Sequence, residues 1–197
     1  MDFPERILMN LTNPGDAPRM AHSGQAMPVQ RAITVPRSID DGGGRIPFEE
    51  VESAAVRDAI AYWQGLCRGR SFPSRADIQP REIRGLLRNI CLIRVHDGGG
   101  DYEFRVIGDA HVIAYGFSMQ GQRLSEMDSH APGHGPVLKR LYDRVVRKGE
   151  PYALRGWIEP VGTGKKYIYS ESVFAPLGDG DTVDHIFNVS VYVPKND

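Results

Sequence analysis

The sequence predicts an α+β domain, with five β-strands in one antiparallel sheet, helices crossing one face of it, and an amphipathic helix ahead of it. Three observations lead there. Two apolar runs separated by His96-Asp-Gly-Gly-Gly-Asp101 read as a hairpin. A stretch of helical periodicity follows and stops at Gly149 and Pro151. Three more strand-like runs joined by glycine turns close the chain. The order β-β, helices, β-β-β makes a small α+β domain.

Composition bounds the rest. A chain of 197 residues, 41% hydrophobic and 25% charged, builds one good core with flanking segments. A formal net charge of -1 argues against a dedicated nucleic-acid binder, whose affinity comes largely from neutralising phosphates. Cys67 and Cys91 show no metal-type spacing and sit in apolar surroundings that suit buried free thiols in a reducing cytoplasm. The opening MDFPERILMN carries acids early and no long apolar run, so neither a secretory signal nor a membrane span is expected and the localisation is read as cytoplasmic.

Residues 1–46, with prolines at 4, 14, 18, 28 and 36 and the run Asp41-Gly-Gly-Gly-Arg45, read as a flexible arm closed by a glycine hinge. Residues 47–89 read as a helix and a helical connector, and residues 90–197 as the sheet domain. From Phe48 to Leu66, Phe48, Val51, Ala55, Ala59, Tyr62 and Leu66 form a helical stripe with Ile60 and Trp63 beside it. Gly65 and Gly69 bracket its end. In the loop Ser71 to Pro80, Arg75 and Asp77 are placed to pair with each other or with backbone. Pro80 then opens a short helix to Leu87, with Glu82 as a capping-box acid and Ile78 stapled on Ile83.

Ile90 to Val95 and Tyr102 to Ile107 are the first two strands. Gly108, Asp109 at an N-cap, the apolar Val112, Ile113 and Tyr115, and Gly116 at a left-handed cap predict a short helix. Leu124 to Met127 adds one helical turn before Pro132. Gly135 to Lys148 is the long helix, with Val137, Leu138, Leu141, Tyr142, Val145 and Val146 on its apolar face and Gly149 capping it. Tyr152 to Glu159, Lys166 to Ala175 and Val183 to Val193 complete the sheet through turns at Gly162-Thr-Gly164 and Gly178-Asp-Gly-Asp181.

That order, with Asp109-Ala-His-Val-Ile-Ala-Tyr-Gly-Phe117 after the second strand, resembles a PAS domain. Ala175-Pro176-Leu177 before its turn is similar to the fourth-to-fifth strand hairpin of that family. Trp63-Gln-Gly-Leu66, Arg68-Gly-Arg70, Pro73-Ser-Arg75-Ala-Asp77-Ile78, Pro80 and Leu86-Leu87 resemble the lead-in of short bacterial single-domain PAS proteins. The resemblance covers Tyr62 to Val193. It implies sensing and protein-protein signalling rather than catalysis, a pocket between sheet and helices, and a regulatory protein partner such as a histidine kinase. The sequence in hand carries no kinase, cyclase or DNA-binding segment, so output is expected to pass through contacts.

The resemblance makes Tyr115, Phe117 and Met119 candidates for the rim of the pocket. It also excludes flavin-adduct photochemistry, since no cysteine lies between Gly108 and Gly149. Haem is not expected, because His134 lies off the apolar face of the long helix; the identity of any other ligand stays open. Strand alternation points Leu154, Gly156, Ile158, Ser170, Ser172, Phe174, His185, Phe187, Val189 and Val191 inward. Among them Ser170, Ser172 and His185 are placed either to bind a small molecule or to bond neighbouring chain.

The opposite face then carries Arg155, Trp157, Tyr167, Tyr169, Glu171, Ile186 and Tyr192, an aromatic surface that is normally covered. The expected cover is the Phe48 to Leu66 helix, from this chain or from a dimer mate. Phe48, Val51, Ala55, Tyr62 and Trp63 with Trp157, Tyr169, Ile186 and Tyr192 are therefore the candidate interface of a homodimer.

Three look-alikes are discounted. Gly162-Thr-Gly-Lys165 lacks the helix start of a phosphate loop, Asp179-Gly-Asp-Thr-Val-Asp184 lacks the closing glutamate of a calcium loop, and the two Arg-x-x-x-Arg spacings lack the companion of a cyclic-dinucleotide site. Arg68, Arg70, Arg75, Arg81, Arg84, Arg88 and Arg94 concentrate positive charge, read first as a solvated face. The rival reading is an α+β enzyme of cone-shaped fold using Asp128, His130 or His134 as acid-base groups. A central first hairpin with helices on one face supports the sensor; a curled sheet enclosing a deep polar cavity with one of those histidines inside supports the enzyme.

Overall fold

The computed structural model describes residues 44–129, 131, 133–158 and 168–194. Most of the expected arm, His130, Tyr167 and the Gly162-Thr-Gly164 turn lie outside the described residues, as do the side chains of Asp128, Trp157 and Ile158. The strands are β1 (Gly44–Ile46), β2 (Ile90–His96), β3 (Asp101–Ile107), β4 (Tyr152–Ile158), β5 (Ile168–Asp179) and β6 (Thr182–Pro194). The helices are α1 (Ala54–Cys67), α2 (Asp109–Tyr115) and α3 (His134–Lys148). One antiparallel sheet runs in the order β1-β4-β5-β6-β2-β3.

The sheet has six strands where five were expected. The end of the arm, Gly44 to Ile46, adds an edge strand by pairing Gly44 with Arg155 and Ile46 with Ala153. The first hairpin is not central: β2 lies inside the sheet against β6, and β3 forms an edge.

α1 begins at Ala54, six residues later than the stripe predicts. Phe48–Glu50 is a single turn of 3-10 helix, after which Val51 is extended. The reason is tertiary. The backbone N–H groups of Glu52 and Ser53 donate to the carboxylate of Glu171 on β5, at 3.1 and 2.6 Å, so a side chain from the sheet supplies the cap that Ser53 does not.

The predicted Pro80 helix is instead a run of turns leading into a 3-10 helix, Arg84–Asn89. Its N-cap, Ile83, and Leu86 within it are both buried and stand three apart, the spacing that a 3-10 turn places on one face. Asp77 pairs with backbone and not with Arg75. It accepts from the Ser74 N–H and hydroxyl at 2.8 and 2.9 Å and from Arg70 at 2.8 Å.

α2 stops where its punctuation predicts, at Gly116 in the left-handed region at φ 79°, but its N-cap is Gly108 and not Asp109, which is the first residue of the helix and makes no side-chain cap. Gly108 also permits a close crossing, because a Cβ there would collide with the carbonyls of Leu87 and Arg88. α3 ends on Gly149 at φ 61°.

Two apolar clusters sandwich the sheet. On one face Val56, Ala59, Ile60 and Trp63 of α1 pack on Val173, Ala175, Leu177, Phe187 and Val189. On the other, α2, α3 and the segment between them pack on Ile93, Phe104, Tyr152, Phe174 and Ile186. The cover of the α1 face thus comes from the same chain, and Trp63 anchors it by donating its indole N–H to Pro176 O at 2.8 Å.

Candidate functional site

The strand register decides which side chains meet. Ser170 pairs with Tyr192, Ser172 with Ser190 and Phe174 with Asn188. These positions face α2 and α3, whereas Val173, Ala175 and Leu177 pair with Val189, Phe187 and His185 and face the α1 side. The phase expected for β6 is therefore off by one residue. His185, Phe187, Val189 and Val191 leave the candidate pocket, while Ile186 and Tyr192 leave the candidate interface and enter the α2/α3 side. Both faces of β6 are covered, so its odd positions, almost all apolar, and its mixed even positions carry no solvent contrast that would set the phase.

Between sheet and helices lies a cavity of about 320 Å³, the size of a small-molecule site. Its floor is Leu154 and Gly156 of β4, Ser170, Ser172 and Phe174 of β5, and Asn188, Ser190 and Tyr192 of β6. Cys91 and Phe104 close one side. The lid is His111 and Tyr115 of α2, Met119, and His134, Val137, Leu138, Leu141 and Tyr142 of α3.

Of the residues singled out from sequence, Tyr115, Met119, Leu154, Ser170, Ser172 and Phe174 line this cavity. Phe117 packs on the neighbouring cluster and is not in the lining, and Ile158 lies outside the described side chains. Of the expected interface, Val51, Trp63, Tyr169 and Ile186 are buried within the chain, and Phe48, Ala55 and Tyr62 pack against the α1 cluster. Sequence reasoning missed Cys91, Phe104, His111, Tyr142, Asn188 and Ser190. The signal for Asn188 and Ser190 was present as two polar residues at alternate positions of an apolar strand; the phase error hid it.

The floor is a connected polar strip. Ser172 Oγ donates to Ser190 Oγ at 2.8 Å, and Asn188 Nδ2 donates to Val173 O at 2.9 Å and to Ser190 Oγ at 3.1 Å. The Tyr192 hydroxyl lies 2.7 Å from His111 Nδ1, and His111 Nε2 lies 2.9 Å from Asn89 O. A carbonyl only accepts, so Nε2 carries the hydrogen. Burial lowers the His111 pKa to about 4, leaving the ring neutral. Nδ1 is then an acceptor, and Tyr192 is the donor. Burial likewise holds the Tyr142 and Tyr192 hydroxyls protonated and raises the Cys91 thiol far above its ordinary value.

His134, alone of the three residues in the enzyme reading, has a described side chain in the lining. Its Nδ1 has no hydrogen-bond partner among the described residues, and its ring meets the Tyr115 ring edge-on at 5.9 Å. No group of His, Cys, Asp and Glu able to hold a metal occurs among the described residues. No described helix is long and apolar enough to cross a membrane.

Arg155 also belongs to the lining, between Leu154 and Gly156, and its guanidinium bonds Glu171 at 2.8 Å and 3.1 Å. Glu171 is 1% exposed and caps α1 as described. One tripeptide, Ser170-Glu171-Ser172, thus touches the cavity with its outer residues and the N-terminal helix with its middle one.

Residues 51–187, more than half of the chain, match the family model described as PAS domain, a family of sensory and signalling modules. No curated protein matches the chain.

Proposed function

The chain belongs to the PAS domain family, and on that premise we propose that it is a sensory module that holds a small molecule between sheet and helical lid and passes its state by contact to a regulatory protein such as a histidine kinase. The observation that carries this reading is the cavity itself: apolar walls, a strip of serine and asparagine side chains on the floor, and a single charged residue in the lining, Arg155, whose guanidinium is bonded to Glu171. Ser170-Glu171-Ser172 supports the contact output, because displacement of its backbone by a ligand would act directly on the cap of α1. A homodimer remains part of this reading, although Val51, Trp63, Tyr169 and Ile186 of its expected interface are taken up in the chain's own core.

Native mass spectrometry of the full chain purified from its source tests the reading. The expected spectrum contains a non-covalent adduct of small-molecule mass that is lost on collisional activation. A spectrum of bare chain alone overturns the sensor reading and leaves that of an adaptor, in which contact carries the signal without a ligand.

A further inference from the structure

We propose, resting on the cavity reading above, that the ligand is an uncharged, mostly apolar molecule that presents N–H or O–H donors to the sheet floor. The argument is an inventory of hydrogens. A hydroxyl has one hydrogen and two lone pairs. Ser170 Oγ gives its hydrogen to Gly156 O at 3.3 Å, and Ser172 Oγ gives its own to Ser190 Oγ at 2.8 Å. Tyr192 gives its hydrogen to His111 Nδ1 at 2.7 Å.

Ser190 is saturated, since it accepts from Ser172 and from Asn188 Nδ2 and donates to Asn188 Oδ1 at 3.3 Å. Both hydrogens of Asn188 Nδ2 are taken, by Val173 O and Ser190 Oγ. What the floor offers to the cavity is therefore lone pairs only, on Ser170, Ser172, Tyr192 and Asn188 Oδ1. Ser170 stands opposite Tyr192 in the register, and Ser172 lies two residues along the same strand face.

Charge narrows the class further. No lysine lines the cavity, and the one cationic residue that does, Arg155, has its guanidinium committed to Glu171 at 2.8 and 3.1 Å. An anion would set its lone pairs against those of the floor with no uncommitted countercharge, since Arg155 is already paired with Glu171. No carboxylate lines it either, so a cation would be buried unpaired. Polar capacity of the opposite sense sits on the lid, where Tyr115 and Tyr142 line the cavity and each carries a hydroxyl able to donate. Acceptors of the ligand belong there, and its donors belong on the floor.

The test uses indole, benzofuran, which has the same shape with a ring oxygen in place of the N–H, and benzoate, each titrated calorimetrically into the full chain. Indole is expected to bind about tenfold more tightly than benzofuran, the effect of one hydrogen bond in a desolvated site, with benzoate weakest. In the Ser170→Ala and Ser172→Ala variants, each of which removes one acceptor without adding bulk, the preference for indole is expected to fall by about threefold or more. Benzofuran binding as tightly as indole, benzoate binding more tightly than either, or a preference unmoved in both variants overturns the donor rule and leaves the cavity reading standing. No heat from any of the three at millimolar concentration overturns the cavity reading and the donor rule together.

Discussion

The two faces of the sheet are cut from the same strands and differ in what they bury. On the α1 face, Val173, Ala175, Leu177, Phe187 and Val189 meet Val56, Ala59, Ile60 and Trp63, and the one charged intrusion, Glu171, is matched by Arg155 and two backbone N–H groups. One residue along on each strand, Ser170, Ser172, Asn188 and Ser190 stand before a cavity with their hydrogens committed to one another or to backbone. The first face is apolar side chains around a fully engaged charge, which is how a core holds a helix. The second keeps acceptor capacity facing an enclosed space, an arrangement that serves recognition rather than packing.

The sharpest way to break this contrast is Glu171→Ala. It leaves Arg155 and the N–H groups of Glu52 and Ser53 without their acceptor in a buried place, and the expected loss is about 3–5 kcal/mol in urea unfolding of the full chain. A loss below about 1 kcal/mol would mean that the cluster does not hold α1 to the sheet. Next, moving a hydroxyl across the sheet by Val173→Ser should cost about 2–3 kcal/mol, from the lost methyl groups and a hydroxyl buried without a partner.

Acidification probes the cavity side. The folded pKa of His111, about 4, lies below its ordinary 6.5, so between these values the unfolded chain binds the extra proton. Stability from this residue is complete above pH 6.5 and is lost as the pH falls through that window. From pH 7 to pH 5 the loss should be about 2 kcal/mol, measured by urea unfolding at both values. His111→Gln should flatten that difference, and an unchanged slope would place the proton elsewhere. The smallest effect is expected of Ser172→Ala, which opens no new contact with solvent and leaves Ser190 bonded to Asn188. It should change stability by less than about 1 kcal/mol. A cost equal to that of Val173→Ser would erase the distinction between the two faces.

Much of this architecture is set by local chemistry alone. Gly116 and Gly149 end α2 and α3 because the left-handed backbone there favours a residue without Cβ, and His96-Asp-Gly-Gly-Gly-Asp101 turns one strand back on the other. The alternation along β4 and β5 also placed Leu154, Ser170, Ser172 and Phe174 correctly on the cavity side, because Glu171 and Arg155 between them mark the opposite phase. These signals lie within a few residues of what they specify.

What only the tertiary structure decided has longer reach. β6 carries apolar residues on both faces, so its phase follows from hydrogen-bonded register with β5, which brings Ser190 to Ser172 and Tyr192 to Ser170. α1 starts where a carboxylate 118 residues away in sequence meets the Ser53 N–H, and no local cap announces it. His111 and Tyr192, 81 residues apart, become a donor-acceptor pair only when α2 closes over the floor. Periodicity records which side chains share a face of one element; which face becomes core and which becomes cavity depends on the partners that neighbouring elements bring.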